Sequence, residues 1–209
     1  MDISATDRTK FEVFQKLVET GPNTSYGLYI ALKKGKDVWR QSTVHRTVKI
    51  LEKAFLIELY SEEMKNGRSR KVYGPTLSGL FFVSFHDKSF LDNVGNIFEK
   101  CLDEPKFSQN DSVLELFGTE MLENNPKKAK SLFKVLCVYS AKMIEKWRDY
   151  KPQIGLADEI TLGDLIFRGE NPKKYLQLTK ILTHELPGFK KAHDTAKRQN
   201  QQLFDFLEV

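Results

Sequence analysis

The chain has 209 residues, 40% hydrophobic and 29% charged, with a net charge of +5 from 33 Lys and Arg against 28 Asp and Glu. Those fractions exclude wholesale disorder and supply the apolar side chains for one large core or two small ones. No apolar run nears the roughly 18 residues of a membrane span, the longest being Leu80 to Phe85.

In chain order, Arg8 to Glu19 is the first stretch of helical periodicity, with Phe11, Phe14, Leu17 and Val18 on one face. Thr6 or Asp7 caps its start and Gly21-Pro22 stops it. Asn23-Thr24-Ser25 caps a short second helix through Tyr26, Leu28, Tyr29, Ile30 and Leu32 to Lys34, and Gly35-Lys36-Asp37 is a turn. A third helix starts at Gln41 or Ser42 and runs to Phe55, with Val44, Val48, Leu51 and Phe55 aligned. The period then changes to that of a strand at Leu56 to Tyr60. Ser61 to Arg70 follows as a polar hairpin loop around Asn66-Gly67, and Lys71-Val72-Tyr73 is the return strand. Three helices followed by a basic-tipped hairpin is the element order of a winged helix-turn-helix.

Beyond Pro75 the expected elements are all helical. One Phe-rich helix covers Leu77 to Leu102, and a break at Asp103 to Asn110 leads to a helix from Asp111 to Glu123. Asn125-Pro126 starts a longer helix to Tyr150, since proline suits the first helical position. A loop at Pro152 to Gly155 and a short helix near Leu162 to Phe167 come next. Asn171-Pro172 then opens a helix to Glu185 or Leu186, Pro187-Gly188 ends it, and a last helix carries Phe189 to Phe206. The expected architecture is mainly α with a small β-hairpin wing. It comprises a winged helix-turn-helix domain over 1–84, a connecting helix over 85–104 and an all-helical C-terminal domain over 105–209.

The charge is unevenly placed. Residues 33–71 carry 11 basic and 5 acidic side chains, a net of +6, while residues 85–209 hold 19 of each. Such a stretch is either the electrostatic footprint of a polyanion site or a solvated basic face. In the third helix Ser42, His45, Arg46 and Lys49 cluster opposite the core stripe. Arg can fork onto guanine in the major groove, and Ser, Thr and His reach base edges or phosphates. Arg40, Gln41, Ser42 and Thr43 lie at the helix start, where backbone N–H groups also favour a phosphate. Lys53 lies further along, towards the backbone or water. At the hairpin tip Lys65, Arg68, Arg70 and Lys71 place four cations within seven residues, suited to a minor groove or to phosphates.

Ser42 to Lys53 resembles the recognition helix of PadR-type winged-helix regulators and of their MarR and ArsR relatives. Gly67-Arg68-Ser69-Arg70-Lys71, leading through Tyr73 to Thr76-Leu77-Ser78-Gly79, is similar to the PadR wing. The resemblance covers about residues 8 to 85. It implies sequence-specific binding to double-stranded DNA as a dimer on a two-fold site. Two departures stand out. Phe55 occupies the place of the usual Gly between helix and strand, where a left-handed backbone costs a non-glycine residue about 1 kcal/mol, so the junction either holds that strain or turns differently. Pro75 replaces the usual Leu and removes a strand N–H, so the return strand ends there or lies at an edge.

The four histidines, His45, His86, His184 and His193, fall at no close metal-ligand spacing with each other or with Cys101 and Cys137. Cys137, between Leu136 and Val138, reads as a buried structural thiol. No phosphate-binding glycine loop or nucleophile–base pair is present. Glu115, Glu120 and Glu123 read as a solvated face without a partner cluster. The apolar faces around Leu77 to Leu102 and Leu132 to Ile144 form either a helical core, a dimer interface or an effector pocket.

The resulting expectation is a DNA-binding transcriptional regulator that is not an enzyme and needs no cofactor or metal. It acts as a homodimer on duplex DNA through recognition helix 41–55 and basic wing 61–75. A small-molecule effector or protein partner would sit at the C-terminal domain. The two cysteines and the absence of a secretory pattern at Met1 to Asp7 place it in the cytoplasm, on the nucleoid and off the membrane. The alternative is a winged-helix protein-interaction subunit of a larger assembly, without sequence-specific DNA binding. A third reading is an RNA-associated winged helix.

Overall fold

A computed structural model describes residues 5–35, 39–65, 67–150, 172–195 and 198. The turn at Lys36-Asp37, the loop at Pro152, the short helix near Leu162 and the end of the last helix lie outside the described residues. The chain divides into two compact units, Met1–Asn110 and Asp111–Val209. The segment 85–104 belongs to the first. The molecule is mainly helical with one small antiparallel sheet.

The first unit opens with α1 (Ala5–Thr20), which starts ahead of Thr6 and Asp7, the residues expected to cap it. Its Val13, Phe14, Leu17 and Val18 are buried. Asn23 and Thr24 form a short strand, β1, beyond their expected capping role. Thr24 also caps α2 (Ser25–Lys33), its Oγ1 accepting from Gly27 N at 3.0 Å. α3 (Gln41–Lys53) packs on α1 and α2. β2 (Ile57–Lys65) and β3 (Arg68–Pro75) then form the hairpin, and the sheet order is β1-β3-β2 with β3 central. β3 ends at Pro75, as its missing N–H requires.

The hairpin is longer than expected. Ser61 to Lys65 and Arg68 to Arg70 are strand, and Lys65 pairs directly with Arg68. The Asn66-Gly67 dipeptide favours a two-residue connection, and Gly67 has φ +71°, a conformation natural to glycine. A β-bulge between Leu59 and Ser61 shifts the pairing near the base. There Tyr60 donates from its hydroxyl to Pro75 O at 2.7 Å and lays its ring over Gly74, where any Cβ would collide with it.

The junction between α3 and β2 is a Schellman turn. Phe55 N donates to Glu52 O at 3.0 Å and Leu56 N donates to Leu51 O at 3.0 Å. Phe55 sits at the left-handed position with φ +56°, so the backbone keeps the strain and does not turn differently. Its side chain is 78% exposed, not aligned with the core. Thr76 secures the turn from the far end of β3. Its Oγ1 donates to Phe55 O at 2.7 Å and accepts from Gly79 N at 3.0 Å, while its N donates to Leu56 O at 3.1 Å. Gly79 lies so close to Leu56 O and the Phe14 ring that a Cβ there would be 2.1 Å from the former.

Thr76 thereby caps α4 (Leu77–His86), and the Phe-rich segment breaks at Asp87 before α5 (Lys88–Leu102). The break has a local cause. Asp87 Oδ1 accepts from Ser89 N at 2.8 Å and Phe90 N at 3.3 Å, starting a new helix, while its Oδ2 accepts from Gln15 of α1 at 2.9 Å. Leu80, Val83, Phe90, Val94 and Phe98 are buried, so most of this apolar face is core. α6 (Pro105–Ser108) closes the unit by packing Phe107 edge-on against Phe98, ring centroids 5.8 Å apart.

The second unit holds α7 (Asp111–Phe117), α8 (Thr119–Asn124), α9 (Pro126–Tyr150), α10 (Pro172–Glu185) and a helical run over 187–195. The helix expected from Asp111 to Glu123 is split by Gly118, at φ +78°. Phe117, Phe133, Cys137, Leu182 and Leu186 are fully buried. Glu115 is paired, not merely solvated: Lys191 Nζ donates to its Oε1 at 2.6 Å and holds its carboxyl below the usual range.

The first unit yields three stability predictions. Thr76→Ala should lower stability by about 1–2 kcal/mol, and Phe55→Gly should raise it by about 1 kcal/mol, in denaturant titrations followed by circular dichroism. Glu58, on β2, accepts from Asn110 Nδ2 at 3.1 Å. Burial pushes its carboxyl above the usual range, against the opposing pull of Lys106 and Asn110. The folded state therefore holds that proton more tightly than the unfolded chain. Stability falls as pH rises from the ordinary carboxylate pKa to the raised one. Glu58→Gln should consequently be more stable than the parent at pH 7, with the difference vanishing in thermal melts below the ordinary carboxylate pKa.

Candidate nucleic-acid interface

α3 turns Val44, Thr47, Val48 and Leu51 inward, each at most 5% exposed. Gln41, Ser42, Thr43, His45, Arg46 and Lys49 are all exposed, as is Arg40 just ahead of the helix. With 100° of turn per residue, Ser42, His45, Arg46 and Lys49 share about 100° of arc. Lys53, expected towards the backbone or water, is exposed on that same arc and extends it to about 16 Å along the axis. Gln41 and Thr43 flank it at the helix start.

Arg40 stands at the capping position of α3 with φ −107° but makes no side-chain cap bond. The first turn offers the leading N–H groups and the positive end of the helix dipole no acid of its own. His45 is oriented from the neighbouring helix, with Ser25 Oγ 3.2 Å from its Nδ1. Ser25, the first residue of α2, carries no signal in the sequence that would single it out. It ties the two helices at their exposed edge.

The hairpin presents a different arrangement. The register sets Glu62 opposite Lys71, Glu63 opposite Arg70, Met64 opposite Ser69 and Lys65 opposite Arg68. Ser69 Oγ donates to Glu62 Oε2 at 3.1 Å. Glu62, Glu63 and Lys71 are exposed and Arg70 is half-buried. Of the four cations expected to form a basic tip, only Lys65 and Arg68 occupy the rung next to the turn; Arg70 and Lys71 face acids further down. The +6 of residues 33–71 divides accordingly: +3 lies in 33–40, +2 on α3 and only +1 from 54 to 71. The two acids were legible in the sequence, because counting outward from a two-residue Asn-Gly turn yields this register.

Other features bear on chemistry. Cys101 and Cys137 are free and buried, and burial, reinforced by Glu104 and Asp103, pushes the Cys101 thiol up to about 12. A cavity of about 220 Å³ lies beside Cys101, lined by Leu17, Tyr60, Pro75 and Glu104 among others. Among the described residues no group of three His, Cys, Asp or Glu side chains gathers as metal ligands, and no helix is long and apolar enough to cross a membrane.

Because Gly67 has open space around its missing Cβ, Gly67→Ala tests backbone strain alone. It should cost about 1 kcal/mol and reduce amide protection at Lys65 and Arg68 in hydrogen exchange, with α3 unaffected. No family model and no curated protein matches this chain.

Proposed function

We propose that residues 1–84 form a winged helix-turn-helix domain that binds duplex DNA, and that the protein is a transcriptional regulator of the PadR-like type. The observation that carries this reading is the exposed face of α3, where Ser42, His45, Arg46, Lys49 and Lys53 align opposite a fully buried stripe. This face is a row of hydrogen-bond donors and cations on a rigid element, wide enough for a major groove. In this reading Arg46 forks onto a guanine edge, and Ser42 and His45 reach bases or phosphates. The open helix start with Arg40, Gln41 and Thr43 meets a phosphate, and Lys65 and Arg68 at the hairpin tip lie along the adjacent backbone. A homodimer would place two such helices on a two-fold site.

The balanced pairing of Glu62 and Glu63 with Lys71 and Arg70 favours a second reading. A hairpin with a net charge of only +1 also suits a protein-docking module in a larger assembly, without sequence-specific DNA binding.

Fluorescence anisotropy with labelled duplexes separates the two. Arg46→Ala should weaken binding to a selected site by about 1–3 kcal/mol and flatten the preference over random duplex. Absence of binding to any duplex at low salt would favour the docking module.

A further inference from the structure

We infer that Glu62 and Glu63 limit the sequence-independent binding of the hairpin by confining its attraction for phosphates to the terminal rung. The inference rests on the DNA-binding reading and goes beyond it, because it assigns a role to two acids in a segment otherwise read as basic.

Directly opposed residues on antiparallel strands have Cβ atoms about 4.5–5.5 Å apart, so opposite charges on one rung compensate each other locally. Glu62 faces Lys71 and Glu63 faces Arg70, whereas the rung beside the turn, Lys65 with Arg68, consists of two cations. Met64 and Ser69 form the rung between, and Met64 is 73% exposed. Glu62 is also held in place, since its Oε2 accepts from Ser69 Oγ at 3.1 Å. The hairpin is therefore neutral along its middle rungs and cationic at its end.

The consequence for a polyanion is quantitative. Each phosphate neutralised by a cation releases counterions and contributes about −0.9 to the slope of log affinity against log salt, irrespective of sequence. A carboxylate beside a cation repels the same phosphate and cancels that contribution. With both acids in place, Lys71 and Arg70 add little to indiscriminate binding. Discrimination among sequences then falls to α3, and the hairpin end supplies one local anchor.

The test uses the full chain and a fluorescein-labelled random-sequence duplex, with anisotropy titrations between about 50 and 300 mM salt. Glu62→Gln with Glu63→Gln keeps the size of both exposed side chains and leaves each an oxygen that can accept a hydrogen bond, as Glu62 does from Ser69. It should tighten binding to random duplex about tenfold at the lowest salt and steepen the slope by about one to two. Adding Arg70→Gln and Lys71→Gln to that variant should abolish the gain. Arg70→Gln with Lys71→Gln in the parent should change the slope by less than about 0.5. If the parent binds with a measurable salt slope but the double Gln variant binds no tighter and with the same slope, the inference is overturned while the DNA-binding reading stands. A parent that binds no duplex even at the lowest salt overturns that reading and this inference together.

Discussion

One threonine, Thr76, ties the turn that ends α3 to the far end of the sheet. Thr76 Oγ1 donates to the carbonyl of Phe55 and accepts from Gly79 N, and its backbone N–H donates to the carbonyl of Leu56. A single residue thus satisfies the turn that ends α3 and the amide of Gly79 in the first turn of α4. The cost of this arrangement is visible at Phe55, a non-glycine residue held at φ +56° with its ring in water. A strained position persists where its surroundings over-determine it. Here the Schellman hydrogen bonds, the Thr76 hydroxyl and the close seat of Gly79 against Leu56 do so. The angle between helix and hairpin follows from these contacts, and the buried stripe of Val44, Val48 and Leu51 sets which face of α3 remains outside.

Much of this was legible in the sequence, and the reasons are specific. Val44, Val48 and Leu51 at helical spacing define α3, and a buried stripe on a short helix dictates its exposed face. Pro126 and Pro172 mark helix starts that the structure keeps. The failures are equally instructive. Polar composition from Ser61 to Arg70 suggests a loop, but an exposed two-stranded ribbon needs no apolar alternation, so its strands carry no periodic signal. Asp87 and Gly118 each divide what periodicity treats as one helix, through a side-chain cap in the first case and a left-handed glycine in the second. Ser25 against His45, and Lys191 against Glu115, join residues 20 and 76 positions apart, and no local pattern announces such pairs.

Charge changes meaning once register is known. As a linear count the hairpin contributes four cations; as a folded ribbon it contributes two neutral rungs and one cationic rung. The excess positive charge concentrates ahead of α3 and along it, beside an uncapped helix start. On the proposed DNA-binding reading, affinity and discrimination would be divided between elements: α3 and its approach would meet the bases and nearest phosphates, and the hairpin end would steady the docking. Residues 85–209 hold equal numbers of acidic and basic side chains, and the ion pairs Lys128–Glu185 and Lys191–Glu115 lie within the second unit.

The central claim is that the exposed face of α3 meets duplex DNA. Backbone amide chemical-shift mapping of the full chain with a short random duplex at low salt tests it most directly. The account predicts perturbations concentrated over Arg40 to Lys49 and at the hairpin end, with the core of α1 unmoved. Shifts confined to the helices of the second unit, or none at all at saturating duplex, would contradict it.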